Sequence, residues 1–149
     1  MAFLLLLSAQ PGLAQQQERF PPVLTIQRSS EHGQYLADAR GRAVYLLESD
    51  SKGANACHAA CAKVWPPVLA GPGSASSSAG GATSTKDRAP SQLIGTKERP
   101  DGTRQVTYNG HPLYYYVKDA GPGRATGQDV HDQWGEWYLL TPSGVKKSH

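Results

Sequence analysis

The sequence predicts a mainly β protein: a single domain of two pseudo-symmetric units, each containing a β-hairpin, with one or two short helical segments. Three observations predict it. Laid over itself at an offset of 69 residues, the chain matches at Gly33/Gly102, Gly41/Gly110, Tyr45/Tyr114, Asp50/Asp119 and Trp65/Trp134, and ordered self-similarity is the signature of a repeat. Short runs rich in β-branched and aromatic residues alternate with glycine turns, which favours hairpins over long helices. At 149 residues the chain supports one good core rather than two, so the units should share an interior.

The elements follow in order. Phe3 to Leu7 is an apolar run, and Gly12-Leu13-Ala14 supplies small residues of the kind a signal peptidase reads, so residues 1–14 are expected to be a signal peptide cleaved after Ala14. The apolar run is too short for a membrane span. Residues 15–22 form a polar, proline-bearing lead-in. Unit one, residues 23–69, opens with a strand at Val23 to Gln27 and a hairpin turning at Gly41, where a residue free to take positive φ is needed. Cys57, Cys61, Val64 and Trp65 then recur at helical spacing, and Pro66-Pro67 ends that helix. Residues 70–91, dominated by Gly, Ser, Ala and Thr, are expected to be a flexible connection. Unit two, residues 92–144, repeats the plan with Asn109-Gly110 as a strong hairpin signal, a second helical spacing at Thr126, Val130 and Trp134 interrupted by Gly127, and an extended Trp137 to Leu140. Residues 145–149 are a basic tail.

The composition is that of a globular protein, with 38% hydrophobic and 18% charged residues, and Gly 16 and Pro 11 point to many turns. A net charge of +3 with dispersed Lys and Arg gives no nucleic-acid stripe. No cofactor is expected either: the chain has no phosphate-cradling glycine loop, no His-Glu-x-x-His and no nucleophile elbow.

Gly33-Gln-Tyr-Leu, Gly41-Arg-Ala-Val-Tyr45, Cys57 with Cys61, Trp65-Pro-Pro67, Gln105-Val-Thr-Tyr-Asn-Gly110 and Pro112-Leu-Tyr-Tyr-Tyr116 together resemble a bacterial secreted-repeat family of unknown function, described as predicted lipoproteins with a Tyr-x-aromatic-x-x-Asp motif. Tyr114, Tyr116 and Asp119 fit that motif fully. In the first copy Tyr45 and Asp50 fit, but Leu47 stands where the aromatic is expected. The resemblance implies export and a repeated module, and implies no chemistry. No Cys stands at or just after the expected cleavage site, so this chain looks free rather than lipid-anchored.

Each candidate site has a structural reading beside the functional one. Tyr45, Tyr114 and Tyr116, with Trp65, Trp134, Trp137 and Tyr138, could form a ligand platform, but alternation puts one pair of each strand inside, and packing is the simpler role. Asp50 and Asp119 could act as paired carboxylates in hydrolysis, yet each opens a glycine-containing turn, where an Asp side chain accepts backbone N–H bonds. Cys57 and Cys61 are expected to form a disulfide in an exported protein. Alternatively the two thiols with His58 could bind Cu or Zn or serve redox chemistry, or stay free. The thiol spacing excludes a c-type haem site. His32, His111 and His131 read as solvated. The sequence therefore predicts an exported, non-enzymatic envelope or extracellular module that binds an unknown ligand, glycan or protein. Metal or redox handling through Cys57, His58 and Cys61, and hydrolysis through Asp50 and Asp119, are the alternatives.

Overall fold

The structure is a computed structural model describing residues 23–50, 56–71 and 87–148. The expected signal peptide, the lead-in and the stretch 72–86 of the expected connection lie outside these residues. In chain order the elements are β1 (Leu24–Ser29), β2 (Gly33–Asp38), β3 (Tyr45–Leu47), α1 (Ala60–Val64), β4 (Ile94–Glu98), β5 (Arg104–Tyr108), β6 (His111–Pro112), β7 (Val130–Asp132) and β8 (Gly135–Leu139). The fold is mainly β with antiparallel sheets.

Each unit begins with a hairpin, β1–β2 in the first and β4–β5 in the second, in matching registers: Ile26 pairs with Leu36 as Thr96 pairs with Val106. A tight turn then leads to a third extended segment. In unit two it is Asn109-Gly110, both at positive φ (48° and 81°), the backbone that a type I′ turn demands. In unit one the turn is a residue longer, and Asp38 organises it by accepting the N–H groups of Arg40 and Arg42 at 2.9 Å each.

The units meet at equivalent residues. Tyr45 donates its N–H to the Tyr114 carbonyl at 2.8 Å, and Tyr114 donates back to Tyr45 at 2.9 Å. A residue that pairs reciprocally with its own repeat partner lies beside a local two-fold axis. On either side the pairing crosses between units. β3 takes β8 of unit two, with Tyr45 opposite Leu139 and Leu47 opposite Trp137. Tyr114 bridges to Pro67 of unit one, and Val68 donates to the Leu113 carbonyl at 2.9 Å. The closing segment of each unit thus completes the sheet of its twin.

This pairing corrects one repeat match. Because Tyr45 faces Leu139 as Tyr114 faces Pro67, Pro67 is equivalent to Leu139 and Trp65 to Trp137, an offset of 72 rather than 69. Trp134, the ungapped partner of Trp65, is only partly buried at the edge of the cluster.

The central strands bury both faces. One cluster contains Tyr45, Leu47, Trp65, Tyr114, Tyr116, Trp137 and Leu139, and the second contains Leu36, Val44, Leu46, Val106, Leu113, Tyr138 and Leu140, with Tyr115 packed against it. Alternation holds, since Tyr114 and Tyr116 face one cluster while Leu113 and Tyr115 face the other. Both faces are core because strands of the two units sandwich them.

α1 takes in Cys61 and Val64 but not Cys57, which lies ahead of Ala59 at φ +50°, and the equivalent stretch of unit two is not helical: Val130 to Asp132 is strand β7. Two residues mark the difference. Asp129 sits at φ +58°, outside the right-handed helical region. Gly127 lies so close to the core that a Cβ there would stand 2.8 Å from the Tyr45 ring and 3.0 Å from Trp65. The end of the Gly/Ser/Ala-rich stretch also differs from the sequence reading. Ala89 is buried, donates to the Leu24 carbonyl at 2.9 Å and covers the outer edge of β1, because a bare edge strand leaves its polar groups unpaired. No helix among the described residues is long and apolar enough to cross a membrane.

Replacing Gly127 by Ala should therefore lower stability by about 1–3 kcal/mol through overpacking, whereas Val145→Ala at a half-exposed site should stay within about 0.5 kcal/mol. Urea unfolding of both variants beside the parent checks the pair.

Candidate functional site

The motif residues gather on the local axis. Asp50 and Asp119 each close a tight turn, donating their N–H groups to Leu47 at 3.0 Å and Tyr116 at 3.1 Å. One oxygen of each carboxylate then organises the following loop. Asp50 Oδ1 accepts the Ala56 N–H at 2.8 Å, while Asp119 Oδ1 accepts the Thr126 N–H at 2.8 Å and the Thr126 hydroxyl at 2.7 Å. The second oxygen reaches across the axis. Tyr114 donates its hydroxyl to Asp50 Oδ2 at 2.7 Å, and Tyr45 donates to Asp119 Oδ2 at 2.7 Å. The Tyr of one unit is bonded to the Asp of the other, twice.

Burial and these bonds shape the protonation behaviour. The Tyr45 hydroxyl is pushed far above its ordinary value of 10.0, first by burial and then by its bond to Asp119. Tyr114 is raised likewise by burial and by Asp50, and Tyr115 by burial and by the charge of Asp38, whose Oδ2 accepts its hydroxyl at 2.8 Å. Asp50, 3% exposed, is raised by burial above its ordinary 3.8, although the Tyr114 hydroxyl, the Ala56 N–H, His58 and Arg99 all pull it down.

Around the axis runs a column of rings. Trp65 stacks on Tyr116 and on Trp137, with centroids 4.0 Å apart in both cases and interplanar angles of 13° and 5°. Tyr45 meets Trp65 edge-on at 5.5 Å, and Tyr114 meets Trp137 edge-on at 5.2 Å. Asp132 holds both indoles, accepting Trp65 Nε1 at 2.8 Å on one oxygen and Trp137 Nε1 at 3.1 Å on the other.

Cys57 and Cys61 form a disulfide with Cα atoms 5.2 Å apart, and both are 1% exposed. Arg99, 5% exposed, pins this segment to unit two. Its guanidinium donates to Gln105 Oε1 and to the Cys57 carbonyl at 2.8 Å each, and stands 3.2 Å from His58 Nδ1. Among the described residues its Nε has no hydrogen-bond partner. A guanidinium only donates, so it engages His58 Nδ1 as an acceptor. Among the described residues no group of three or more His, Cys, Asp and Glu side chains is arranged to hold a metal.

A family model described as a secreted repeat of unknown function matches residues 26–69 and again residues 95–141, more than half of the chain. The chain belongs to that secreted-repeat family. Its two matched repeats are the two units that exchange closing strands around Tyr45 and Tyr114. None of the curated proteins and none of the solved structures matches the chain.

Within this secreted repeat the structure brings Tyr45, Asp50, Tyr114, Tyr116, Asp119, Trp65 and Trp137 together. Leu47, where the motif expects an aromatic ring, is 1% exposed and lies opposite Trp137, as Tyr116 flanks Trp65. Tyr138 lies apart, in the second cluster, with the Lys146 ammonium 4.7 Å above its ring. Asp132, Arg99 and the Asp38–Tyr115 bond were not legible in the sequence. A buried indole N–H needs an acceptor, and that need was the available signal for Asp132.

Two outcomes follow from these bonds. Removing the Tyr114 hydroxyl with Tyr114→Phe strands a buried Asp50 oxygen and should cost about 1–3 kcal/mol; the coupling to Asp50→Asn, read from a double-mutant cycle, should exceed that between Val145→Ala and Asp50→Asn. As for pH, Tyr45, Tyr114 and Tyr115 have folded values above 10.0, so their contribution is complete below pH 10.0 and is lost as pH rises further. Absorbance titration should show these three phenols ionising only with unfolding. Asp50 is also raised, so its contribution is complete below pH 3.8 and declines as pH rises through its shifted value. Asp50→Asn should remove that portion of the slope in urea titrations at successive pH values.

Proposed function

We propose that this protein acts as an exported, non-enzymatic module of the cell envelope or extracellular space, whose paired units form a rigid scaffold for binding a small ligand, a glycan or another protein. The family is described as secreted, which supports the compartment. The observation that carries the reading is the crossed Tyr–Asp bonding. Both oxygens of Asp50 and both of Asp119 already accept hydrogen bonds from the fold itself. A general acid or nucleophile needs a carboxylate facing substrate, so these residues favour a scaffold over a hydrolase. The Cys57–Cys61 bond supports a staple in the same way, because a thiolate metal site through Cys57, His58 and Cys61 requires free sulfurs.

The test begins with protein secreted by its own leader. Its intact mass under non-reducing conditions should begin at Gln15, lack two hydrogens relative to the dithiol and carry no metal. Screened against glycans and envelope extracts, it should bind without turnover. Hydrolysis of any screened glycan or ester that disappears in both Asp50→Asn and Asp119→Asn, with far-UV circular dichroism unchanged, would overturn the reading in favour of an enzyme. Bound copper or zinc lost on substitution of His58 would favour metal handling.

A further inference from the structure

Packing alone does not account for the ring column. Phenylalanine would fill much of the same volume without bringing Asp50 into the interior, where a carboxylate loses hydration. Instead, Tyr45, Tyr114, Trp65 and Trp137 each hand their only acidic hydrogen to a carboxylate, at 2.7, 2.7, 2.8 and 3.1 Å. These are the side chains that give up a single electron most readily, and the phenol must shed its proton as it does so. The rings are also in contact, with the Tyr116–Trp65–Trp137 stack spaced at 4.0 Å and Tyr45 edge-on to Trp65 at 5.5 Å. Tyr116, 8% exposed, is where the column comes nearest to solvent, while Tyr45, Trp65, Tyr114 and Trp137 are fully buried.

We propose that the column is a one-electron relay coupled to proton transfer, taking up an oxidising equivalent at Tyr116 and holding it as a neutral tyrosyl radical at Tyr45. An outer-sphere one-electron oxidant, such as a high-potential metal complex, accepts one electron from the stacked Tyr116–Trp65 pair and is reduced by one. The resulting radical cation is shared along the stack, and the Asp132 carboxylate beside both indoles stabilises its charge. Tyr45 refills the stack with one electron while its hydroxyl proton crosses to Asp119 Oδ2. The products are a reduced oxidant, a neutral Tyr45 radical and a protonated Asp119. A one-electron donor at Tyr116 reverses every step. Tyr45 is the terminus because Asp119 is partly exposed and bonded to the exposed Thr126 hydroxyl, which gives the proton a way to water, whereas Asp50 is enclosed. This inference goes beyond the binding reading and does not rest on it.

The test is flash photolysis of the mature protein with a ruthenium polypyridyl sensitiser and a cobalt(III) ammine as the spent acceptor, read by transient absorption and frozen-solution EPR. The expected result is a tyrosyl signal whose rise slows in deuterium oxide, preceded by a tryptophan radical. In Tyr45→Phe the tyrosyl signal should be lost and the tryptophan radical should persist. In Asp119→Asn, whose amide oxygen still accepts the phenol bond but is a far weaker base, the tyrosyl signal should likewise be lost. An undiminished tyrosyl signal in either variant, with near-UV circular dichroism like the parent, overturns the proposal. Should a variant fail to fold, the parent decides alone: spin-trap adducts mapped by mass spectrometry to Tyr45 support the relay, and adducts confined to other tyrosines overturn it.

Discussion

The two backbone hydrogen bonds between Tyr45 and Tyr114 are the constraint from which the architecture follows. Directly opposed residues of an antiparallel pair send their side chains to the same face, so both tyrosine rings enter one cluster. The pairing also fixes what lies alongside. Once Tyr45 faces Tyr114, the free edge of each segment is open to the closing segment of the other unit, Leu139 for Tyr45 and Pro67 for Tyr114. The equal spacing between Tyr and Asp in the two copies then acquires a reason: each Asp closes a turn by donating to the carbonyl three residues before it and meets the tyrosine arriving from the opposite unit.

A second theme is how a small β domain accommodates carboxylates that are buried, as Asp38 and Asp50 are, or partly buried, as Asp119 and Asp132 are. Asp38, Asp50, Asp119 and Asp132 each take the hydrogen of a large ring on one side, and each also accepts at least one backbone N–H. Such groups are tolerated because their lone pairs are satisfied and their bonds are charge-assisted. Tyrosine and tryptophan supply apolar area together with one directed donor, so each carboxylate orients a ring as well as closing a loop. Arg99 is the counterweight on one side of the axis, joining the disulfide segment to β5 through Gln105.

Local signals were legible in the sequence where local physics decides the structure. Gly41 and Asn109-Gly110 marked turns, the spacing of Cys61 and Val64 with the prolines after them marked α1 although Cys57 falls outside it, and alternation separated Tyr114 and Tyr116 from Leu113 and Tyr115. The repeat itself was visible because Tyr and Asp keep their distance in both copies. What escaped was set by partners far away in the chain. The exchange of closing segments has no local signature, so Trp134 was matched to Trp65 although insertions in the second unit shift the equivalence to Trp137. Strand β4 carries few apolar residues because it is an edge with one solvated face. The helical spacing at Thr126 and Val130 does not give a helix: Asp129 takes φ +58° and Val130 begins β7, while Gly127, lacking a side chain, lets the backbone approach Tyr45. Of the candidate site, the motif residues could be named from the sequence, but the direction of their bonds, from each unit to its twin, could not.

The exchanged closing segments bear on how the chain acquires its shape. During synthesis or translocation the N-terminal half emerges first, with its third strand waiting for β8, almost the last element to appear. Until then the edge of β3 is unpaired and the faces of its rings are uncovered, a condition that exposes a chain to wrong partners. Contacts of such sequence separation close slowly, since the entropy of a long loop is surrendered before the contact returns anything. The Cys57–Cys61 bond, by contrast, spans five residues and asks nothing of the C-terminal half. Its early formation would fix the segment that awaits Arg99, making covalent closure the opening act of assembly and strand exchange the last.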